Sequence, residues 1–471
     1  MSSTDDHGDR SIEAFGYKQE LKRTLSLFDL IVYGLVFMVP IAPFAVFGIV
    51  YNTSGGMVPL VYFVGLVAML FTALSYMSMS RAFPVAGSVY AYAAKSLGPT
   101  VGYAAGWAIL LDYLLLPTVN YVACAIALHS VMPDIPKMAW VIALPIFATL
   151  VNHFGMTITA RVSVFLLILQ LVILIVFMAG GMIAITQHTA GAHLSLLPIF
   201  NPSVLTPQLI FGALSLAVLS FLGFDAISTL SEETTGGSKT IAQATMWSLC
   251  IAALLFVLQT YVASLFVLDH AKFATGDETD AAFYNIAGMI GQQLGGPMQG
   301  AWLKYLLTVP GVLLAAIAGA LTAQAATARL LFGMARDGKL PRALANVHPT
   351  RKVPDRAIYL IGVVSIALAT TMVDQLELLA AMVSFGALVG FLMLHISVVA
   401  HFIVRQKSRN WIRHLVVPVI GFAVAAYVLI NAQLDAMVAG AVWMVVGFVL
   451  FVGLKMAGRE TPLPANNETS P

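Results

Sequence analysis

Residues 31–50 read IVYGLVFMVPIAPFAVFGIV and residues 214–234 read LSLAVLSFLGFDAISTLSEET. Each stretch is apolar and long enough to cross a bilayer, yet each carries a helix breaker. In the first, Gly34, Pro40 and Pro43 interrupt the run; proline removes a backbone donor and clashes with the preceding turn, and Val39, before Pro40, is pushed out of the helical region. In the second, Gly223 stands beside the ionisable Asp225. Unwound backbone is tolerated at membrane depth only where it is buried or lines a cavity, and a pair of interrupted helices in corresponding positions of two halves points to a central binding site. The plainer reading is that Pro40 only kinks a helix and Gly223 only packs closely against a neighbour.

The rest of the chain supplies the membrane context. Of 471 residues 59% are hydrophobic and 10% charged, with a mean hydropathy of +0.89; soluble domains carry about 25% charged residues. Residues 1–25 are polar (Asp5, Asp6, Asp9, Glu13, Lys18, Glu20, Lys22, Arg23) and no secretory signal is expected there. Cys124 and Cys250 lie inside apolar runs, so a disulfide is not expected. A span needs about 20 apolar residues, and breaks at charge and at Gly/Pro/Asn clusters place spans near 27–50, 57–80, 100–129, 138–154, 162–186, 207–231, 241–268, 301–333, 357–373, 377–404, 412–432 and 436–456. The amphipathic VAGSVYAYAAKSL (85–97) is too short to span and is expected in the interface or against the bundle, and DAAFYNIAGMIGQQL (280–294) is a second short helix. With a cytoplasmic N-terminus, all of the 24 Lys and Arg but Lys137, Lys272 and Lys304 fall inside, as the positive-inside rule requires. Both termini are therefore expected in the cytoplasm.

The two breaks fall in spans one and six, which implies two inverted repeats of five helices with two more spans at the end. An acid at the bilayer centre costs roughly 2.5–3.5 kcal/mol on insertion scales. Asp112, within GWAILLDYLLLPTVNYV (106–122), and Asp225 both lie that deep. Each can serve as a structural hydrogen-bond acceptor, a proton site or a counter-ion for a cationic substrate. At about 100° per residue, Asp112, Tyr113, Pro117 and Asn120 share one broad face, either the wall of a polar cavity or a hydrogen-bonding seam between helices. Glu232 and Glu233 are expected to order the loop after span six and cap the seventh helix. The basic stretch 329–356 is read mainly as a topology signal. His129, His153, His188, His193, His395 and His401 show no ligand spacing, so neither a metal nor a cofactor is expected. No HExxH, Walker-type loop or Ser/His/Asp set is present, which argues against an enzyme or an ATP-driven pump, and no repeated filter segment argues for a channel.

SFLGFDAISTLSEET (220–234), RLLFGMARDGKLP (329–341) and FPVAGSVYAYAAKSLGPTVGYAAGWAILLDYLLLP (83–117) carry a resemblance to the amino acid–polyamine–organocation superfamily, over about residues 20–455. LLDY, FLGFDA and TLSEET are similar to elements of its bacterial putrescine importer branch. The resemblance implies an all-α membrane protein of twelve transmembrane helices with a LeuT-like five-plus-five inverted repeat and discontinuous helices one and six. It implies a tail at 1–25, a ten-helix transport core at 26–404, helices eleven and twelve at 405–456 and a tail at 457–471, in a bacterial inner membrane. Phe37, Met38 and Val39 would line the site on helix one, Asp112, Tyr113 and Asn120 on helix three, and Ser220, Phe221, Leu222, Gly223 and Asp225 on helix six, with Asp225 in the position linked to proton coupling. The family's usual Gly-Ser-Gly or Gly-Thr-Gly segment on helix one is replaced by MVP (38–40), which weakens capture of a substrate carboxylate.

A diamine carries an ammonium at each end and no carboxylate, so two intramembrane acids suit it, with Phe, Met and Leu packing its methylenes. No intramembrane Lys or Arg is evident to receive a carboxylate, although half-helix N-termini can do so. The expected activity is proton-coupled import of putrescine or a related polyamine by alternating access, with protons, the amine and membrane lipids as partners and no nucleic acid. An amino acid permease or exchanger of the same fold is the alternative, and sodium coupling through oxygens such as those of Thr322 and Thr327 stays open.

Overall fold

The computed structural model describes residues 21–456 apart from Ala86, Pro133, Ala271, Thr275 and Gln433; the expected tails at 1–20 and 457–471 lie outside the described residues. The first half comprises α1 (Leu27–Met38), α2 (Pro43–Ser54), α3 (Val58–Ala82), α4 (Ser88–Leu97), α5 (Pro99–Val131), α6 (Lys137–His153), α7 (Met156–Thr186) and α8 (Pro207–Phe221). A 3₁₀ segment, Asp225–Glu233, follows α8. The second half comprises α9 (Gly237–Ser264), α10 (Asp277–Leu294), α11 (Trp302–Leu306), α12 (Val312–Arg336), α13 (Asp355–Thr371), α14 (Leu376–Val398), α15 (Val417–Ile430) and α16 (Leu434–Met456). Among the described residues the only β-type pairing is an isolated bridge between Leu25 and Thr234.

Among the described residues, eight helices are long and apolar enough to cross a membrane, or ten if each of two bent pairs counts as one span. The first bent pair is α1 with α2, at 55°. Ser26 and Asp29 start α1 with a reciprocal capping box. The helix stops at Met38 because Pro40 has no amide hydrogen to donate, and Val39 takes φ 52°, a conformation rare for a β-branched residue. Pro43 then opens α2 at a position where its missing donor costs nothing. The second pair bends by 43° between Pro207–Leu214 and Leu216–Glu233. Thr206 caps α8 through the Leu209 amide, Leu222 is extended, and Gly223 takes φ 125°. Only glycine fits there, since a Cβ on Gly223 would lie 2.2 Å from the ring of Phe37.

Helix α4 lies against the bundle rather than at an interface, buried from Ser88 to Ser96. It folds back on α5 so closely that a Cβ at Gly102 would meet Ala94 at 2.4 Å. At the outer edge, Trp107 on α5 and Trp443 on α16 stack at 4.6 Å. Each indole donates to the other's backbone carbonyl, at 2.8 and 2.7 Å, which fixes α16 to the bundle. Phe165, Ile168, Val172 and Ile175 form an exposed stripe on α7, and Val438, Val442, Val445 and Val449 form one on α16. Apolar stripes at helical spacing, open on the outside of a packed bundle, are the surface expected against lipid.

Candidate functional site

The two breaks meet at the centre of the bundle. Asp225 is fully buried. Its Oδ1 accepts the Gly223 amide at 3.2 Å and its Oδ2 accepts the Tyr113 hydroxyl at 2.5 Å. The break on α8 thus supplies the donor that holds its own acid. The Tyr113 carbonyl in turn accepts the Thr327 hydroxyl of α12 at 2.6 Å. The Phe37 ring at the end of α1 covers Gly223 and stands 6.2 Å from the rings of both Tyr113 and Tyr33. The Tyr33 hydroxyl donates to the Thr322 carbonyl at 2.7 Å, and Gln259 donates to the freed carbonyl of Pro40 at 2.9 Å. These bonds tie both breaks to α5, α9 and α12.

Asp112 is 1% exposed, and its Oδ1 has no hydrogen-bond partner among the described residues. The α14 backbone presses on it at Gly386, where a Cβ would lie 2.7 Å from the Asp112 amide nitrogen. Among the described residues, neither Asp112 nor Asp225 forms an ion pair.

Of the residues expected from the sequence, the structure brings together Phe37, Tyr113, Gly223 and Asp225, with Asp112 adjacent on α5. Val39 and Asn120 meet at a second point, both within 2.9 Å of where Gly319 would carry a Cβ. Met38 and Leu222 are buried. Ser220 and Phe221 face elsewhere: the Ser220 hydroxyl lies 3.1 Å from that of Tyr62 on α3, and the Phe221 ring packs on Tyr62 and Phe256 at 5.9 and 5.4 Å. The hydroxyls of Thr322 and Thr327 are committed to backbone carbonyls of their own helix, and Thr327 also to Tyr113. The aromatic rings of Tyr76 and Phe391, which pack edge to face at 6.1 Å, carry no sequence signal that sets them apart from other core aromatics.

The acids are covered from both ends of the bundle. At the end holding Leu25, Arg329 donates through Nε and Nη2, one edge of its guanidinium, to the two carboxylate oxygens of Glu233, with both side chains buried. Arg329 also donates to the Ala325 carbonyl at 2.8 Å. Glu232 receives two bonds from Arg336, at 2.9 and 3.1 Å. The Thr24 and Leu25 amides donate to the Glu233 carbonyl at 2.9 and 3.0 Å, and Thr235 donates back to Leu25. The expectation that Glu232 and Glu233 cap the next helix therefore gives way: Gly236 begins α9 without a side-chain cap, and the two carboxylates bind arginines of α12. Arg329 is also a deeply buried arginine that the sequence reading did not single out, and Glu233 engages it. At the opposite end, Tyr51 of α2 donates to the carbonyls of Val267 and His270, at 2.5 and 2.8 Å. Asn52 exchanges two bonds with the Phe273 backbone, at 2.9 and 2.8 Å.

The buried charges can thus be assigned. Arg329 and Arg336 are matched by Glu233 and Glu232, and among the described residues Asp225, beside the break, and Asp112, on α5, form no ion pair. A buried carboxylate without a cation is stable only protonated or when a cation arrives, so the site is chemically fit to take a proton, an organic cation or both.

Residues 24–456 match the family model described as amino acid permease. The chain is 33% identical over 453 residues to a low-affinity putrescine importer, PlaP, of Escherichia coli (strain K12), covering 94% of this chain and 96% of that protein. It is 25% identical to the branched-chain amino acid permease BcaP of Bacillus subtilis (strain 168), covering 93% of this chain and 94% of that protein. It is 26% identical to a methylthioribose transporter of the same organism, with 94% and 95% covered. A helical bundle with long lipid-facing stripes, two broken helices around buried acids and a family match across almost the whole chain together make this a multi-pass membrane transporter, a member of the amino acid permease family within the amino acid–polyamine–organocation superfamily.

Proposed function

We propose that this transporter imports a small organic cation, putrescine or a related polyamine, by proton symport and alternating access. The observation that carries the reading is the charge assignment at the centre. Asp112 and Asp225 are buried without an ion-pair partner among the described residues, while Arg329 and Arg336 are taken up by Glu233 and Glu232. A zwitterionic amino acid would need a donor set for its carboxylate, and the buried guanidinium of Arg329 is occupied. A diamine needs acids for its two ends, and two are present. The putrescine importer among the relatives supports the same choice. The amino acid permease among them favours the second reading, an amino acid permease or amino acid/amine exchanger of the same fold.

The architecture in this reading is a LeuT-like five-plus-five inverted repeat of twelve spans. The eight long helices, the two bent pairs and the 17-residue helices α6 and α13 supply them. Residues 26–404 form the transport core and 405–456 the two added helices, in a bacterial inner membrane with both termini in the cytoplasm. The end holding Leu25 is then cytoplasmic. The substrate-binding set in this reading is Phe37, Met38, Val39, Asp112, Tyr113, Asn120, Leu222, Gly223 and Asp225, with Asp225 the proton-coupling residue; Ser220 and Phe221, turned toward Tyr62, stand behind it. Import runs from release of the Tyr51 and Asn52 contacts, through engagement of the acids, to release of the Glu233–Arg329 and Glu232–Arg336 pairs. Asp225→Asn tests the role of the coupling acid: the variant is expected to reach the membrane at normal levels and to lose accumulation of labelled putrescine. Unchanged uptake would contradict the reading.

A further inference from the structure

The contacts of Asp225 extend beyond Tyr113 to the hydroxyls of Tyr76 and Ser88. The Tyr76 hydroxyl of α3 also bonds to the Asp225 carboxylate. The Ser88 hydroxyl, at the start of α4, lies 3.5 Å from that of Tyr76 and bonds to that of Tyr113. Asp225, Tyr113, Ser88 and Tyr76 thus form a closed ring of four polar groups, all at 1% exposure or less. Ser88 sits there under strain. It takes φ 50°, directly after Gly87 at φ 118°, in the left-handed region that an L residue rarely enters. Strain of this kind persists only where the surroundings enforce it, and it clusters at functional sites. Here α4 is held at two points along its length. Tyr90 donates to Asp337 Oδ2, just past α12, at 2.8 Å, and Arg405 donates to the Lys95 carbonyl at 2.8 Å.

The number of protons in the ring decides what Ser88 does. Each hydroxyl carries one donor proton and a carboxylate carries none. With Asp225 ionised, Tyr113 and Tyr76 both donate to it, and Ser88 donates to one of the two phenol oxygens. When Asp225 takes a proton from the aqueous side, its O–H needs an acceptor, and the Tyr113 oxygen provides one. Tyr113 then turns its proton to Ser88, Ser88 turns its own to Tyr76, and Tyr76 still donates to the carboxyl. Every group is satisfied in both states, by rotation of hydroxyl protons alone. Without the Ser88 hydroxyl, the Tyr113 proton has no acceptor once Asp225 is protonated, whereas the ionised state keeps both bonds to its carboxylate. We infer that Ser88 is a positioning residue for the coupling acid: its hydroxyl closes a ring that holds Asp225 both with and without its proton. The role rests on the reading of Asp225 as the proton-coupling residue and goes further, giving α4 a part in proton loading. The other titratable groups around this ring are Asp112 of α5, Tyr33 of α1 with the Arg329–Glu233 pair beside it, and Tyr92 of α4 next to Tyr76. A substitution at Ser88 changes none of them.

The test is the dependence of putrescine uptake on external pH, measured in proteoliposomes of the full chain for wild type, Ser88→Ala and Ser88→Gly. Both variants remove the hydroxyl, and glycine takes φ 50° without strain, so the pair separates loss of the hydroxyl from damage to the backbone. Only the protonated state loses a bond. Both variants are therefore expected to need more protons, with the pH of half-maximal uptake lowered by about half to one unit, the order of one hydrogen bond between neutral groups. If the rate of Ser88→Gly falls evenly at every pH with the midpoint unmoved, or the midpoint rises, the inference is overturned and the importer reading stands. If uptake by the wild-type protein does not depend on pH, or no amine is taken up, the coupling reading fails and the role of Ser88 falls with it.

Discussion

Asp225 and Asp112 lie close together but are held differently, and the difference decides what each can do. Asp225 has a donor on each oxygen, from Gly223 and Tyr113, so it is positioned whether or not substrate is present. Asp112 keeps Oδ1 without a partner, so it gains most from an incoming cation. Asp112→Asn is therefore expected to lower affinity for diamines by about tenfold or more while leaving inhibition by n-butylamine, which has one ammonium on the same four-carbon chain, nearly unchanged, read from competition curves; equal loss for both would mark a structural role. Both acids were legible in the sequence, because an ionisable residue inside an apolar run is conspicuous and costly. Tyr76 and Phe391 were not, since an aromatic in such a run looks like any core residue until tertiary structure packs the two together. Nor could the sequence orient Ser220 and Phe221. A nearly uniformly apolar helix offers no polar face to say which side looks inward, and the structure turns both toward Tyr62.

At the scale of elements, the breaks fall where local chemistry puts them: Pro40 and Pro43 end one helix and start another, and Gly223 permits a turn that no Cβ would allow. These were readable because proline and glycine act through the local backbone. The ion pairs were not, because Glu233 and Arg329 are 96 residues apart and nothing in either segment names the other. Local reasoning made Glu232 and Glu233 a helix cap, whereas a buried arginine is a stronger claim on a carboxylate than exposed amides. Removing one member of a buried pair leaves an uncompensated charge. Glu233→Gln is expected to cost about 3–5 kcal/mol of stability, seen as a lowered Tm of the purified protein, with the double variant Glu233→Gln/Arg329→Gln recovering part of the loss. An unchanged Tm in the single variant would contradict the pairing.

For the molecule as a whole, the two ends are closed over the acids by different means: charge pairs and a backbone bridge at the Leu25 end, and side-chain bonds from α2 to the chain after α9 at the other. An alternating-access importer must open one set while keeping the other. The helical membrane class was legible from composition and charge alternation alone, since the lipid surface imposes its apolar demand on the whole chain. The substrate is the point on which the account stands or falls. The most direct measurement is accumulation of labelled putrescine in proteoliposomes of the wild-type protein, with and without an imposed proton gradient, against a panel of diamines and amino acids. The account expects saturable accumulation above the external concentration only with the gradient, inhibited by diamines and not by branched-chain amino acids. Accumulation of an amino acid in place of putrescine, or putrescine uptake indifferent to the gradient, would contradict it.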